Sequence, residues 1–510
     1  MALIGSIIKG LVEFKDAITP EESVVSSQHK VLKQLLEKAS ETRFGKDHDF
    51  DEILSSDDIA VAFAEKVPYF DYHRMEKAYW KSVQDGEADV TWPGVPEYFA
   101  LSSGTTGNKS KRIPVTADML DAIRGTGIKQ VSALANFDMP ADFFEKEIMM
   151  LGSSTNLQEN NGHMEGEISG ISASNIPSWF RSYYKPGEEI AGIDNWDERV
   201  KKIAEKAPEW DIGALSGIPS WMELMLKEVI STHQLEHIHQ IWPNLRAYTS
   251  GGVAFEPYEQ SFNKLLGKPI TVIDTYLASE GFLAYQQRPE TNAMRLVTDN
   301  GIYFEFVPFK PEYILEDGSL TPDAVSIGIG EVEPHKDYVL IISTVSGAWR
   351  YLIGDTIKFT NVEKAEIRIT GRTKFFLNVV GSQLSVNKMN DAIKALEESV
   401  GMTISEFTLA AVKKNGEYIH RWYLGSENPE TSKEVLAEKL DDFLKKANKN
   451  YKVARSKALK GVEVEVISPE LFFDWNEMHK KKGGQVKMEK VMTEDKFRTW
   501  EEFVKSKAVK

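Results

Sequence analysis

Apolar residues recur at helical spacing early in the chain, where Val31, Leu32, Leu35, Leu36 and Ala39 share one face, and Pro68, Pro93 and Pro96 punctuate the stretch after it. From about residue 145 the pattern changes to short apolar runs that end in small polar residues. Ile148 to Leu151 ends in Gly152-Ser153-Ser154, and Leu245 to Tyr248 ends in Ser250-Gly251-Gly252 before a helical stretch from about Glu256 to Leu266. Ile270 to Ile273 ends at Thr275-Tyr276. Such alternation predicts parallel β/α units, in which ligands sit where strand C-termini meet their loops. After Gly301, Ile302 to Val307, Tyr338 to Ser343 and Ile357 to Thr360 are rich in β-branched and aromatic residues, the signature of an antiparallel sheet or barrel.

Beyond Gly371-Arg372 the pattern reads helix (about Val386 to Val400), strand (Phe407 to Val412), strand (Tyr418 to Tyr423), helix, strand (Val462 to Ile467). Thr431 and Glu434 are spaced as a capping box for the second helix, whose apolar face carries Leu436, Leu440, Phe443 and Ala447. The expectation is a mixed α/β chain with a large domain over residues 1–370 and a small α+β lobe over 371–510.

Composition narrows the function. With 510 residues, 42% of them hydrophobic and 27% charged, the chain has material for a large core and about three units of ~150 residues. Its formal charge of -16 disfavours general binding to nucleic acid or anionic membrane, while leaving room for one basic pocket that holds a phosphate. The absence of cysteine removes disulfides, thiolate zinc sites, iron-sulfur clusters and a cysteine nucleophile together. MALIGSIIKGLVEF interleaves apolar residues with Lys9 and Glu13 and reads as a helix rather than a signal peptide. No apolar run approaches the roughly 20 residues of a membrane span. A folded protein of cytoplasmic type is expected.

The most informative stretch is Leu101-Ser102-Ser103-Gly104-Thr105-Thr106-Gly107-Asn108-Lys109-Ser110-Lys111. Successive hydroxyl and glycine residues let N–H and O–H groups converge on an anion, and Lys111 can neutralise phosphate charge. The spacing is not that of a Walker loop, and the same composition suits a solvent-exposed loop. A second constellation, His233-Gln234-Leu235-Glu236-His237, fits H-x-x-E-H, with His239 close by. No third protein ligand can be nominated, so a solvated helix end is expected there. The polar segment Asn160 to Glu167 suits either an approach to substrate or an ordinary turn.

SSGTTG followed by a lysine resembles the phosphate loop of the adenylate-forming enzymes, and SSGTTGNKSKRIP is similar to the version in the acyl acid amido synthetases of the auxin-responsive GH3 family. Further landmarks occur in that family's order, from about residue 98 to 490. Ser250-Gly251-Gly252-Val253 resembles the adenine-pocket loop, and Thr275-Tyr276-Leu277-Ala278-Ser279-Glu280 the motif whose tyrosine flanks adenine and whose glutamate serves magnesium. Trp349-Arg350-Tyr351-Leu352-Ile353-Gly354-Asp355 is similar to the segment whose aspartate grips the ribose. Gly371-Arg372-Thr373-Lys374 resembles the hinge before the small lobe, and Gly483-Gly484-Gln485-Val486-Lys487 the segment with the late catalytic lysine. Two positions depart from the pattern: Leu277 replaces a common glycine, and Met488-Glu489-Lys490 replaces a common Val-Pro-Arg.

The resemblance implies a large adenylate-forming lobe with β/α subdomains and a β-barrel-like part, followed by a small mobile α+β lid. It implies ATP and Mg²⁺, a carboxylic acid substrate and an amino acid or CoA acceptor, with no nucleic-acid or membrane partner. The implied sites are Ser102, Ser103, Gly104, Thr105, Thr106, Gly107 and catalytic Lys111 for the β- and γ-phosphates, and Gly251, Gly252, Val253, Thr275, Tyr276, Ser279 and Arg372 around the nucleotide. Glu280 is implied for the metal, Asp355 for the ribose, Lys374 for the hinge and catalytic Lys487 for the α-phosphate. Plainer readings stand beside these: Glu280 as a helix cap or surface acid, Asp355 as a turn residue, Arg372 and Lys374 as strand-edge charges, Lys487 as the end of a solvated lysine run. An acyl-CoA ligase shares the first half-reaction, and a nucleotide-binding protein without turnover shares the binding residues.

Overall fold

The computed structural model describes residues 23–102, 111–178, 180–252, 255, 258–315, 318–373, 376–377, 384–414, 417–427, 431–447, 449–457, 459–478, 488–492 and 494–508. The opening MALIGSIIKGLVEF lies outside them. The chain divides into two compact units, one holding residues up to Phe255 with Phe262–Ile369, the other Glu256–Ser261 with Thr370 onward.

In the first unit, the helix Val24–Ala39 starts where the Ser23 side chain accepts from Ser26 N, and it buries the expected stripe of Val31, Leu32, Leu35, Leu36 and Ala39. Gln28, buried on the same face, donates from Nε2 to the Thr298 and Ile302 carbonyls at 2.8 and 2.9 Å and accepts from Phe304 N at 2.7 Å. These bonds pin the helix to the sheet below it. Phe44, Phe50 and Phe63 from the following short helices pack around Trp349, with ring centroids 4.8 to 6.3 Å away.

Two sheets complete the unit. In the smaller, β1 (Tyr98–Ser102) lies between its antiparallel partner β2 (Lys111–Val115) and its parallel partner β5 (His163–Gly166), and β5 carries β4 (Gln158–Asn160) at the edge. The larger has eleven strands in the order β12-β13-β14-β15-β11-β10-β9-β8-β7-β3-β6. Its parallel half is β6 (Tyr184–Lys185), β3 (Glu147–Leu151), β7 (Ile212–Gly217), β8 (Ala247–Gly251) and β9 (Thr271–Ala278), as the β/α alternation predicts. The other half is β10 (Gly281–Tyr285), β11 (Met294–Leu296), β12 (Ile302–Pro308), β13 (Asp337–Thr344), β14 (Ala348–Asn361) and β15 (Glu366–Arg372). Within it the pairs β9/β10, β10/β11, β11/β15, β12/β13 and β13/β14 are antiparallel. The β-rich region after Gly301 is thus continuous with the β/α region in one sheet, not a separate barrel.

Two element boundaries differ from the sequence reading. The helical stretch expected over 256–266 is only Glu259–Asn263. Thr275 and Tyr276 continue β9 rather than ending it, because they pair with Tyr285 and Ala284 of β10 where the parallel register with β8 ends at Gly251 and Thr275.

In the second unit, β18 (Glu406–Lys414) and β19 (Glu417–Gly425) are antiparallel, and β20 (Leu459–Ile467) adds to β19 in parallel. A small pair, β16 (Phe376–Leu377) and β17 (Leu384–Ser385), precedes the helix Val386–Val400. One core gathers Leu396, Leu409, Trp422, Leu436, Leu440 and Leu444. A separate one gathers Ala410, Tyr423, Phe472, Trp475, Phe497 and Trp500. The helix Lys433–Ala447 begins one residue later than the capping pattern implies: Val435 N donates to Ser432 Oγ at 3.4 Å, which places valine where a capping box needs a glutamate. Its buried stripe accordingly runs Leu436, Leu440, Leu444, with Phe443 only half-buried.

His420 on β19 is fully buried, and neither ring nitrogen has a hydrogen-bond partner. Burial, reinforced by the charge of Arg455, lowers its pKa to about 3. The unfolded chain protonates this imidazole near 6.5 while the folded chain does not, so its contribution is intact above that pH and declines as pH falls toward 3. His420→Phe is expected to flatten the decline of urea-unfolding stability between pH 6.5 and 4 and to raise stability at pH 7 by about 1 kcal/mol.

Candidate functional site

The Ser/Thr/Gly loop connects the hairpin β1–β2, in which Ser102 and Lys111 are direct cross-strand partners. That pairing brings together two residues nine positions apart. Ser103, Gly104, Thr105, Thr106 and Gly107 lie outside the described residues. Tyr72 buttresses the base of the hairpin: its hydroxyl accepts from Arg112 N at 3.0 Å and donates to Glu76 Oε1 at 2.9 Å, and Lys111 Nζ stands 5.5 Å from its ring centroid. Burial first, with Glu76 adding to it, pushes the Tyr72 phenol up to about 12, so it stays neutral. Asn160 to Glu167 spans the β4–β5 hairpin, whose turn residues Asn161 and Gly162 have φ of 52° and 82°. Glu165 there pairs with Arg112 at 2.9 Å and accepts from Asn160 Nδ2 at 3.1 Å. The segment forms this hairpin and its turn.

At the adjoining ends of β8 and β9, Thr275 Oγ1 donates to the Ser250 carbonyl at 2.8 Å. A Cβ on Gly251 would stand 2.7 Å from that Oγ1, so only glycine fits, and Gly252 follows at a φ of +81°. Val253 lies outside the described residues. The result is a strand end with bare backbone, of the kind that admits a flat ligand against the main chain.

The Tyr276 hydroxyl, from β9, donates to Asp355 Oδ2, from β14. Three strands lie between β9 and β14 in the sheet. On a flat sheet these two would be roughly 19 Å apart, at ~4.8 Å per strand. A direct hydrogen bond therefore requires the antiparallel half to curl strongly. The barrel-like character expected of this region is present as curvature, while the hydrogen-bonded order keeps open ends among the described residues. The curl also brings Glu280, in the turn between β9 and β10 beside Ser279, next to Tyr351 of β14. Glu280 is only 6% exposed, which excludes a surface acid, and Asp355 lies within a strand rather than in a turn. Burial first, then the charge of Glu280, raises the Tyr351 phenol well above its ordinary value, leaving a neutral hydroxyl beside a carboxylate.

Sequence reasoning does not single out Arg350 and Tyr351, although both fall inside the Trp349 to Asp355 segment. Arg350 is 4% exposed, with a left-handed φ of +38°. Its Nε bonds both Glu305 oxygens at 3.0 and 3.1 Å, NH1 donates to the Ala64 and Val67 carbonyls at 2.6 Å, and NH2 to Ser326 Oγ at 2.7 Å. The guanidinium also lies over Tyr69, 4.2 Å from the ring centroid. The N-terminal helical layer thus grips β14 a few residues before Asp355. Arg372 closes β15 as a strand residue, while Lys374 and Lys487 lie outside the described residues.

The H-x-x-E-H residues form no metal cluster. The helix Pro219–Thr232 ends before them, and each histidine is turned to a backbone task. His233 Nε2 meets the Ala204 carbonyl at 2.8 Å, His237 caps the short helix Ile238–Gln240, and His239 bonds Leu245 O at 3.1 Å and Gly267 N at 3.0 Å.

Comparison with known proteins gives a consistent picture. Models of the GH3 family N-terminal, central and C-terminal domains match residues 19–201, 295–372 and 387–496. The chain is 26% identical over 206 residues to a probable indole-3-acetic acid-amido synthetase GH3.9 of Oryza sativa subsp. japonica, a match covering 38% of this chain and 44% of that one. The chain spans less than half the length of this and similar curated indole-3-acetic acid-amido synthetases that it matches. With the jasmonoyl-L-amino acid synthetase JAR4 of Nicotiana attenuata, identity is 22% over 513 residues, 84% of this chain and 85% of that one. The solved GH3.15 acyl acid amido synthetase superposes with a TM-score of 0.76 at 16% identity, over 94% of this chain and 93% of that one, a likeness of fold.

Glu305→Gln is expected to leave the Arg350 charge buried without its counter-charge and to lower unfolding stability by about 3 to 5 kcal/mol. Urea unfolding checks this, and a loss below about 1 kcal/mol contradicts the role given to the pair.

Proposed function

Since the chain belongs to the GH3 family, whose domain models match more than half of it, we propose that it is an ATP-dependent acyl acid amido synthetase. The observation that supports this reading is that β9 and the turn after it carry Thr275 against Gly251, Tyr276 bonded to Asp355, and the buried Glu280 beside Tyr351. A carboxylate is a poor electrophile, so it is first joined to a good leaving group. The acid's oxygen attacks the α-phosphorus of ATP, the bond to the bridging oxygen breaks and pyrophosphate leaves. The amine of an amino acid then attacks the acyl carbon, AMP departs and the ammonium proton passes to a base.

Both steps depend on placement and on stabilising phosphate charge rather than on covalent help. In this reading Ser102 to Gly107 and Lys111 receive the β- and γ-phosphates, and Gly251, Gly252 and Val253 with Thr275, Tyr276 and Ser279 border the adenine. Asp355, oriented by Tyr276, takes the ribose hydroxyls, and Arg372 lies at the strand end leading to the hinge at Lys374. Lys487 reaches the α-phosphate from a small lid of residues 371–510 that moves relative to the ATP- and acyl-binding domain of 1–370. Among the described residues no cluster of three or more His, Asp or Glu could hold an ion alone, and one buried carboxylate suits a cation that takes its other ligands from phosphates and water. Glu280 would hold Mg²⁺, which when bound neutralises phosphate charge. Tyr351, neutral, lies beside that carboxylate. No helix among the described residues is long and apolar enough to cross a membrane, and a cysteine-free acidic chain fits the cytoplasm.

Pyrophosphate exchange into ATP, with Mg²⁺ and a pool of aromatic and fatty carboxylic acids, tests the first half-reaction. Adding amino acids or CoA to the preformed adenylate separates the amido synthetase from an acyl-CoA ligase. Asp355→Asn is expected to raise the KM for ATP at least about tenfold, the loss of one charged hydrogen bond. Lys487→Ala is expected to lower the adenylation rate by a factor of about 10² to 10³ while calorimetric ATP binding persists. ATP binding without exchange in any pool contradicts turnover of these acids, and no ATP binding overturns the reading.

A further inference from the structure

Ser153 and Glu167 join the ends of two strands from different sheets. Glu167 follows β5, which runs parallel to β1 with Gly166 opposite Ala100, so its backbone lies at the same end of the small sheet as Ser102, the partner of Lys111. Ser153 follows β3 in the large sheet. Leu151 of β3 pairs with Gly217 of β7, and Gly217 with Ser250 of β8, so the end of β3 stands two strands, roughly 10 Å, from the bare backbone at Gly251. The chain leaves β3 toward β6 on one side and leaves β7 toward β8 on the other. A parallel sheet binds ligands at such a switch of direction.

Between these ends the Ser153 hydroxyl donates to Glu167 Oε2, and the Ser169 hydroxyl donates to Ser153 Oγ at 3.1 Å. Only glycine permits the approach, because a Cβ on Gly170 would collide with the Ser154 carbonyl. Arg199, from the helix Trp196–Lys206, is 6% exposed; its NH1 donates to the Gly152 carbonyl at 3.3 Å, and its Nε has no hydrogen-bond partner among the described residues. Burial lowers the Arg199 pKa, and Tyr184, Asp194 and Glu167 oppose that shift. Asp194 is already engaged, accepting from Ser154 Oγ and Asn156 Nδ2 at 2.8 Å each. A buried guanidinium with an open donor in this neighbourhood favours the ionised form of Glu167.

We propose that Glu167, acting through the Ser153 hydroxyl, is the base of the second half-reaction. The proposal rests on the amido synthetase reading above. As the acceptor nitrogen bonds the acyl carbon and the bond from that carbon to the AMP oxygen breaks, the ammonium proton passes to Ser153 Oγ while the Ser153 proton passes to Glu167. AMP departs with the electron pair of the broken bond. In an acyl-adenylate the reacting carbon is attached to the α-phosphate, which lies between the place vacated by pyrophosphate and the adenosine. In that reading these are the end of β1 and the end of β8, and Ser153 with Glu167 stands between them. A carboxylate also suits an acceptor that arrives as an ammonium cation, and is a poor neighbour for the anionic phosphates of CoA.

Rapid-quench transfer from acyl-adenylate preformed on the full chain, with pooled amino acids as acceptors, tests the assignment against pyrophosphate exchange by the same protein. The near-isosteric Glu167→Gln is expected to slow amide formation about a hundredfold or more while exchange falls less than about fivefold. Hydroxylamine, whose nitrogen is already unprotonated at neutral pH, is expected to capture the adenylate on Glu167→Gln within about threefold of the wild-type rate, a rescue that general misfolding would not give. Ser153→Ala is expected to slow amide formation about tenfold, because a water can take the place of the hydroxyl. Should Glu167→Gln fail to fold, Ser153→Ala carries the test. Wild-type amide formation in either folded variant overturns the proposal, and so do equal losses of exchange, amide formation and hydroxylamine capture, which mark a structural role. No exchange by the wild-type chain, or transfer to CoA alone, overturns the amido synthetase reading and the proposal with it.

Discussion

The geometry of the site depends on the curl of one sheet. Its eleven strands pass from parallel to antiparallel pairing at β9, and the antiparallel half then bends until β9 and β14 exchange side-chain contacts. The hydrogen bond from Tyr276 to Asp355 is the direct sign of this. Because β9 enters from the β/α half, its end also lies beside the bare backbone of Gly251. Gly251 and the Asp355 carboxylate are thereby both joined to β9, through Thr275 and Tyr276. The same bend buries Glu280 beside Tyr351, so the surroundings of both acids are set by one piece of architecture.

Curvature of this degree needs support from outside the sheet, and Arg350 provides it. A planar guanidinium with every arm engaged joins β12 through Glu305, the loop at Ser326, and the N-terminal helical layer at Ala64 and Val67. Its backbone amide bonds Ser343 Oγ at 2.9 Å, and its carbonyl accepts from Phe70 N at 3.0 Å. A left-handed conformation at a residue with a Cβ costs energy and persists only where the surroundings determine it. The described helices after Ser23 therefore bear, through Arg350, on the strand that carries Asp355.

The second unit solves a different problem. Its helices and strands surround two apolar cores on a small sheet, and one edge of that sheet is taken by Met488 to Met492 instead of being left open. Met488-Glu489-Lys490, which look like departures from the family pattern, fill that edge with a core methionine, a paired glutamate and a paired lysine.

Much of this is legible in the sequence because it is local. The stripe Val31 to Ala39, the β/α alternation, the strands of the second unit and the order of the family's motifs each depend on neighbours within a turn or a strand, where side-chain periodicity records burial. Val386 to Val400 forms a helix over the predicted span, and Ser102 and Lys111 lie at the two ends of one loop as their spacing suggests. The cap of Lys433–Ala447 falls one position later than expected because several hydroxyls compete for that task. Thr275 and Tyr276 read as the end of a run in the sequence because the register with β10, which makes them strand, is not encoded in their own composition. Only the tertiary structure decided that Tyr276 meets Asp355, that Tyr351 lies beside Glu280, that Arg350 is a buried strut and that Lys490 belongs to Glu406. Each of these pairs joins residues separated by dozens of positions, or turns a surface-type residue inward, and the energies that select them come from curvature, desolvation and close packing, which exist only once the whole sheet is assembled.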